Sequence, residues 1–192
     1  MRFVALLTAL LLVGCASTSV ETQYYLLRQQ QVIETRELKP STDFSFGNVT
    51  VAAYIDQPGL VLELEHGQVR PAKHHEWAEP LHTSVPSFLQ REISVQLGAD
   101  LFPASHSPAS TTINVRVDQL HGTSSGEAVL LAYWWTIRAG MIQSTYQYMQ
   151  REKLARDGYA ALARVQEELL TGLAQNIADT LKTTQQVSAF AE

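Results

Sequence analysis

Apolar and polar residues alternate along much of this chain in a pattern that predicts seven β-strands. Turn signals such as Gln57-Pro58-Gly59 and His66-Gly67 separate several of these segments, which favours antiparallel hairpins. Segment 128–138 is apolar on both faces, as in a strand covered on both sides, so it is predicted to lie centrally in the sheet. The predicted strands are residues 24–27, 46–54, 60–64, 68–70, 112–120, 128–138 and 141–150.

A helix is predicted after the fourth strand. Ser84 is expected to cap it, with Pro86 in the first turn, where a missing N–H matters little, and Gly98 at its end. An earlier turn at 79–83, followed by a kink at Pro86, is the alternative start. The apolar stripe of this helix has a period close to 3.6 and consists of Val85, Phe88, Leu89, Ile93 and Leu97.

A second and longer amphipathic helix is predicted near the end of the chain, from Gly158 to about Thr183, with Asp157 as its cap. The element order is therefore β-β-(ββ)-α-β-β-β-α. This order predicts the α+β class, as a two-layer domain with a mainly antiparallel sheet and two helices packed on one face. The apolar stripe of the second helix is Leu162, Val165, Leu169, Leu173, Ile177 and Leu181.

The first residues of the chain have the order of a secretory signal peptide. Arg2 supplies a positive charge, and residues 3–13 are apolar except for one threonine. This run is shorter than the roughly 20 residues that a membrane-spanning helix requires, so a cleaved signal peptide is predicted over residues 1–14. Leu12-Val13-Gly14-Cys15 resembles the lipobox of bacterial lipoproteins. That resemblance implies that the peptide is cut before Cys15 and that Cys15 is acylated.

Cleavage at this point leaves 178 of the 192 residues, a length that suits one domain. We predict a lipidated cysteine and short tether at 15–22, a single α+β domain at 23–184, and a flexible tail at 185–192. Extended at about 3.4 Å per residue, residues 16–22 reach about 24 Å. The domain is therefore expected to sit close to its membrane.

Composition narrows the range of functions. The chain carries 14 basic and 19 acidic residues, for a net charge of −5, and has no basic block. Nucleic-acid binding, which depends on clustered lysine and arginine, is poorly supported. Because Cys15 is the only cysteine, the domain can form no internal disulfide and has no further thiol for a zinc cluster or a nucleophile.

One sequence match could indicate a nucleophilic serine. Gly122-Thr123-Ser124-Ser125-Gly126 fits G-x-S-x-G, and His121 stands beside it. A nucleophile elbow requires a strand before the serine and a helix after it, whereas a second strand is predicted here. A hairpin turn that needs glycine at positive φ explains the match better, and no catalytic residue is predicted.

A histidine-rich stretch could suggest a metal site. It contains His74, His75 and Glu76, with His66 and His82 on either side. Adjacent residues diverge on a strand or a helix, whereas metal ligands need a spacing that makes their side chains converge. We interpret the stretch as a polar connection that leads into the first helix, and we predict no metal site and no cofactor.

Trp134 and Trp135 offer a third candidate, an aromatic lipid groove together with the tyrosines of the last strand. Aromatic residues on sheet faces belong to the core more often than to a binding groove. A strand that is apolar on both faces nevertheless needs a cover for its second face. A loop, a partner protein or a lipid could supply that cover.

Together with the lipobox, several short motifs make the chain similar to the ABC-type transport auxiliary lipoproteins, the PqiC/YmbA family. The most specific is Trp77-Ala78-Glu79-Pro80-Leu81, because the family has a Trp-Ala-Glu-Pro-Leu segment that opens the first helix. His74, His75 and Glu76 precede it where the family often has a tyrosine followed by an aromatic or basic residue. The other motifs are Tyr24-Tyr25-Leu26-Leu27, Val49-Thr50-Val51 and Leu60-Val61.

The resemblance implies a non-catalytic lipoprotein on the periplasmic face of the outer membrane. It implies work beside an MCE-domain membrane protein of the PqiB type that bridges the envelope and moves lipids. Residues Ala16 and Ser17 after the lipidated cysteine, in place of an inner-membrane-retaining aspartate, point to the outer membrane. The partner-binding candidates are Trp77, Glu79, Pro80 and Leu81.

Alternatives to these predictions remain open. Trp77 is a natural interface anchor, since tryptophan is enriched in binding hot spots, but it could equally pack the first helix onto the sheet. The protein could instead be an assembly or pilot lipoprotein for another envelope complex. A lipid-processing enzyme would need a nucleophile in contact with a base, and the sequence offers no such pair.

Overall fold

A computed structural model describes residues 20–28 and 37–189 of the chain. The predicted signal peptide and Cys15 lie outside these residues. The order of strands and helices is the predicted one, and the α+β class is confirmed. The elements are β1 (Gln23–Tyr25), β2 (Phe44–Val51), β3 (Gly59–Glu63), β4 (Val69–Trp77), α1 (Leu81–Leu97), β5 (Thr111–Thr123), β6 (Glu127–Arg138), β7 (Met141–Lys153) and α2 (Tyr159–Ala189).

All seven strands form one sheet in the order β1-β4-β3-β5-β6-β7, with β2 paired to β5. The predicted hairpins are present as the antiparallel pairs β3–β4, β5–β6 and β6–β7. The two N-terminal strands differ from a simple hairpin. β1 pairs in parallel with β4, and β2 pairs in parallel with β5, because each finds its partner in a distant part of the chain. As predicted, β6 has a strand on each side.

The core lies between the sheet and the two helices, which pack on one face. Alternate residues of the long strands point into it, including Val115 and Val117 of β5 and Ala132 and Trp134 of β6, all with 0% exposure. The helices contribute the apolar stripes predicted from their 3.6-residue period. The opposite face of the sheet, called here the open face, carries the intervening residues.

Helix α1 begins earlier than its predicted cap. Pro80 precedes the first helical residue, Leu81, so Ser84 lies inside the helix. The hydroxyl of Ser84 donates to the carbonyl of Pro80 at 3.3 Å and does not cap the N-terminus. Pro86 also lies within the helix, and Gly98 ends it in the predicted left-handed conformation, with φ of 72°.

The bounds of α2 also differ from the prediction. The first helical hydrogen bond runs from the N–H of Leu162 to the carbonyl of Gly158, so Gly158 rather than Asp157 holds the capping position. The helix continues to Ala189, so the described part of the predicted flexible tail is helical. No glycine or proline follows Leu181 to terminate it.

Strand directions give the sheet two distinct ends. The Ser124 end is where the turn Ser124–Gly126 joins β5 to β6, and the Met141 end is where β6 turns into β7. β1 runs parallel to β4 and therefore antiparallel to β7. Because β1 runs towards the Met141 end, the chain preceding Gln23 leads towards the Ser124 end.

Candidate functional site

The segment predicted to bind a partner joins β4 to α1. Trp77 is the last residue of β4 and is only 6% exposed, within the main hydrophobic cluster. Its backbone N–H donates to the carbonyl of Pro58 at 2.8 Å, and the N–H of Ala78 donates to the carbonyl of Tyr25 at 2.7 Å. Leu81 is 1% exposed at the start of the helix. Trp77 and Leu81 therefore pack the sheet against α1.

Glu79 and Pro80 are the exposed members of this segment. The carboxylate of Glu79 lies 3.6 Å from the guanidinium of Arg28, and both side chains are about half exposed. A surface ion pair of this kind contributes little to stability, about 0–1 kcal/mol. Of the four predicted contact residues, Glu79 and Pro80 are the two that a partner could touch on the folded domain.

The Gly-x-Ser-x-Gly match lies on the turn between two strands, as the hairpin interpretation predicted. Gly126 has φ of 78°, a left-handed conformation that explains its presence. The hydroxyl of Ser125 bonds Thr123 and Glu127. Since β6 follows the turn directly, Ser124 does not lie in the strand-to-helix setting of a nucleophile elbow.

The histidine-rich stretch belongs to β4 and does not form a polar connection. Because side chains alternate along a strand, His74 and His75 point to opposite sides. His75 accepts or donates a hydrogen bond with the Tyr25 hydroxyl at 2.9 Å and stacks on Tyr159 at 4.6 Å between ring centroids. Among the described residues, no group of three or more histidine, cysteine, aspartate or glutamate side chains could hold a metal ion.

A buried polar cluster at the Ser124 end was not predicted from the sequence. The His121 side chain is 5% exposed; its Nδ1 lies 3.2 Å from the Tyr54 hydroxyl, and its Nε2 lies 3.4 Å from the Glu63 carboxylate. Burial lowers the pKa of His121, and this effect exceeds that of the partly exposed Glu63, which raises it. Burial is also the main cause that raises the pKa of Tyr54 to about 12. The side chains of His121 and Tyr54 are therefore both uncharged near pH 7.

The two adjacent tryptophans have different environments. Trp134 is fully buried under the helices and stacks on Tyr146 at 4.1 Å, so it belongs to the core. Trp135 lies on the open face and is half-buried. Beside it on this face, the guanidinium of Arg116 lies 4.9 Å from the ring centroid of Tyr133. Arg116 thus supplies part of the cover that the second face of β6 was expected to need.

A cleft of about 590 Å³ opens at the Met141 end, between the β6–β7 hairpin and the last turns of α2. Its lining is mixed. The Arg138 Nε donates to the Thr111 hydroxyl at 3.0 Å, and the Gln185 side-chain amide donates to the Asp43 carboxylate at 2.9 Å. The cleft walls are therefore fixed by their own hydrogen bonds.

Among the described residues, no further strand pairs with the outer edge of the sheet at β7. β7 has 13 residues, and among the described residues it pairs only with β6. The sequence did contain a signal for it, because Met141–Gln150 includes no proline and no charge. The pattern of a single strand does not show whether the strand lies at an edge.

Comparison with known proteins assigns a class to this fold. A family model described as "ABC-type transport auxiliary lipoprotein component" matches residues 24–178, nearly the whole domain. Fold and match together define the class, an auxiliary lipoprotein of a transport system. The chain belongs to the ABC-type transport auxiliary lipoprotein family. The family resemblance seen in the Trp-Ala-Glu-Pro-Leu motif is thereby confirmed.

Individual relatives cover almost the full length of the chain. It is 24% identical over 183 residues to Intermembrane transport lipoprotein PqiC of Escherichia coli (strain K12), covering 94% of this chain and 97% of that protein. The PqiC of Shigella flexneri gives the same values. The crystal structure of protein XCC0632 from Xanthomonas campestris has the same fold, with a TM-score of 0.68 and 15% identity over 87% of this chain and 99% of that one. Within the described residues, no helix is both long and apolar enough to cross a membrane.

Proposed function

We propose that this lipoprotein is a non-catalytic auxiliary subunit of an intermembrane lipid transport system that supports envelope integrity. In this role it is anchored through Cys15 to the outer membrane, on the periplasmic side, and docks an MCE-domain membrane protein of the PqiB type. The observation that carries the proposal is the similarity to a relative named as an intermembrane transport lipoprotein, over 97% of that relative's length. The proposed role requires no cofactor.

The direction of β1 supports a defined orientation on the membrane. Gln23 pairs with His75, six residues from the start of β4 at the Ser124 end. β4 bulges outward against β3, so that Glu76 pairs with Gly59, four residues before Glu63, which at about 3.3 Å per residue places Gln23 roughly 13 Å or less from that end. A seven-residue tether that reaches about 24 Å spans this distance. From the direction of β1 we infer that the Ser124 end faces the membrane and the Met141 end faces the periplasm.

The arrangement of side chains supports a role without catalysis. Ser124 stands on an exposed turn, and the described contacts of the buried His121 are to Tyr54 and Glu63. A serine nucleophile requires a base within hydrogen-bond reach. The described residues place no such base against Ser124.

Docking is the activity that remains. Glu79 and Pro80 are proposed as contact residues, and buried Trp77 and Leu81 hold them in position between β4 and α1. The conformation of this exposed pair is fixed on both sides by buried neighbours. A preformed contact of this kind binds with a smaller entropy cost than a mobile loop.

Crosslinking in intact cells tests the proposal. The full-length lipoprotein and the cell's own MCE-domain protein are each tagged, crosslinked with a short amine-reactive reagent and purified through the lipoprotein. We expect the MCE-domain protein in the crosslinked product, and an abundant unrelated outer-membrane lipoprotein serves as the control. If the MCE-domain protein is recovered no better than with the control, the proposed function is wrong.

A further inference from the structure

The cleft at the Met141 end lies where the layer between the sheet and α2 opens to solvent. Further along β6, the positions that face α2 are apolar, as at Ala132 and Trp134. The next two positions on that face are Thr136 and Arg138, and both line the cleft. Thr136 is 7% exposed, and no described residue forms a hydrogen bond with its hydroxyl. The floor of the cleft therefore offers a polar group that is not already satisfied.

Arg138 supplies an oriented positive charge in the cleft. Its Nε donates to the hydroxyl of Thr111 at 3.0 Å, and Thr111 is only 6% exposed. This bond fixes the side chain and leaves the N–H groups of both Nη atoms for another acceptor. Among the described residues, no carboxylate forms an ion pair with Arg138. A guanidinium held in this way matches a phosphate or a carboxylate through two parallel hydrogen bonds.

Asp43 supplies a negative charge on a different strand. Its Oδ2 accepts a hydrogen bond from the Gln185 amide at 2.9 Å. The following residue, Phe44, pairs with Thr111, which in turn pairs with Arg138. Neighbouring strands lie about 4.8 Å apart, so the backbones of Phe44 and Arg138 are about 10 Å apart. Neutral groups on separate elements thus hold the two charges, which do not neutralise each other in an ion pair.

We propose that this cleft binds a small zwitterion, with a phosphate at Arg138 and a primary ammonium at Asp43, as in a phosphoethanolamine group. A simple anion would meet the carboxylate of Asp43, and a simple cation would meet the guanidinium of Arg138, so each would face a like charge. The hydroxyl of Thr136 offers a further donor, which suits the several oxygens of a phosphate. The volume of about 590 Å³ lies within the range of about 300–1,000 Å³ typical of small-molecule sites.

Calorimetric titration tests the role of the positive charge. The full-length lipidated protein in a maltoside detergent is titrated with glycerophosphoethanolamine. Arg138→Gln removes the charge, and we expect it to weaken binding about tenfold. Arg70→Gln, which changes an exposed arginine on β4, is the matched control and should bind as the wild type does. No measurable binding by the wild type, or equal losses in both variants, would overturn the proposal.

A second variant tests the ammonium subsite. Asp43→Asn removes the negative charge but keeps an oxygen that can accept from Gln185. We expect the wild type to bind glycerophosphoethanolamine about tenfold more tightly than glycerol phosphate, which lacks the ammonium, and Asp43→Asn to lose this preference. Asp157→Asn, at an exposed aspartate before α2, should retain it. If Asp43→Asn is folded by circular dichroism and retains the wild-type preference, the assignment of the ammonium subsite is wrong.

A short-chain lipid distinguishes the two sources of a phosphoethanolamine group. Phe44 and Leu181 line the same cleft and are 8% and 3% exposed. Dihexanoyl phosphatidylethanolamine that binds more tightly than glycerophosphoethanolamine identifies the group as a lipid headgroup, and equal binding identifies a water-soluble phosphate ester. Binding of neither compound overturns the proposal. The inference does not depend on docking to a partner, so this result leaves the crosslinking test of the proposed function unaffected.

Discussion

Residues of the same type have opposite roles in this domain. Trp77 and Trp134 are buried, whereas Trp135, the neighbour of Trp134, lies half-buried on the open face. Their size and shape suit both a core and an interface, so the sequence could identify them as important but not assign the role. Burial decides it, and burial depends on contacts with distant segments.

Gly172 shows the same dependence on a distant residue. A Cβ placed on Gly172 would lie 2.7 Å from the hydroxyl of Tyr148, which packs against this turn of α2. A glycine within a helix costs about 1 kcal/mol relative to alanine, so its presence needs a compensating contact. Because Gly172 has no side chain, Tyr148 can pack against the helix there, and this packing is the compensating contact. No local sequence pattern reveals it.

His121 is expected to make the stability of the domain depend on pH. Its pKa in the folded protein lies below the ordinary value of 6.5, mainly because it is buried. The unfolded chain therefore binds a proton more readily, and the stabilisation present above about pH 6.5 is lost as the pH falls. We expect the free energy of unfolding to fall less between about pH 7 and about pH 5 in His121→Gln than in the wild type. Urea denaturation at both pH values measures this.

The exposed His66 provides a matched control for that experiment. His66→Gln removes a histidine that is not buried, so it should retain the pH dependence of the wild type. Parallel stability curves for wild type and His121→Gln would contradict the assignment of His121 as a group that is kept neutral by burial.

At the scale of elements, the sequence predicted what local periodicity controls. Both helices, the three hairpins and the strand order along the chain follow from patterns within 10–30 residues. Element ends were less well predicted, because Ser84 resembles a cap but donates its hydroxyl to a carbonyl instead. The edge position of β7 could not be predicted, since it results from the pairing of all the other strands.

Helix α2 is expected to provide a large part of the core stability. Leu173 is 0% exposed in the middle of its apolar stripe, and leucine-to-alanine changes in a core cost about 2–5 kcal/mol. Asn176, three residues further on, is exposed, and Asn176→Ala should change stability by about 0.5 kcal/mol or less. Chemical denaturation of both variants measures the difference.

Asn176 is a better control than Gln175, because the Gln175 amide donates to the Asp179 carboxylate at 2.8 Å. Similar unfolding midpoints for Leu173→Ala and Asn176→Ala would mean that the buried face of α2 is assigned incorrectly.

At the scale of the whole molecule, three features combine into a directed arrangement. The chain enters from the Ser124 end, the proposed contact residues Glu79 and Pro80 lie on the exposed surface, and the edge of β7, unpaired among the described residues, runs along the other side of the sheet. Class and family could be predicted from the lipobox and one short motif. The surface available to a partner required the three-dimensional arrangement, since the sequence allowed Trp77 either to pack the first helix or to contact a partner, and it lies buried.

Removal of the lipidated residue tests the proposed attachment. Each buried acyl CH₂ contributes about 0.8 kcal/mol, so one chain anchors marginally and three anchor firmly. We expect Cys15→Ser to be absent from the outer-membrane fraction, because it can be neither acylated nor cut at that site. Fractionation with immunoblotting measures this, with Ser17→Ala as a control that keeps the cysteine. Wild-type amounts of Cys15→Ser in the outer membrane would contradict the attachment.

The parallel pairing of the N-terminal strands also constrains the order in which the domain folds. β1 needs His75–Trp77 and β2 needs Thr111–Val117, so neither strand has a partner until much later segments are available. Closing such long loops costs entropy that local hairpins avoid. The β5–β6–β7 meander is therefore expected to form first, and the strand nearest the anchor to join last. The N-terminal segment would then stay accessible to the processing enzymes while the rest of the domain is already assembling.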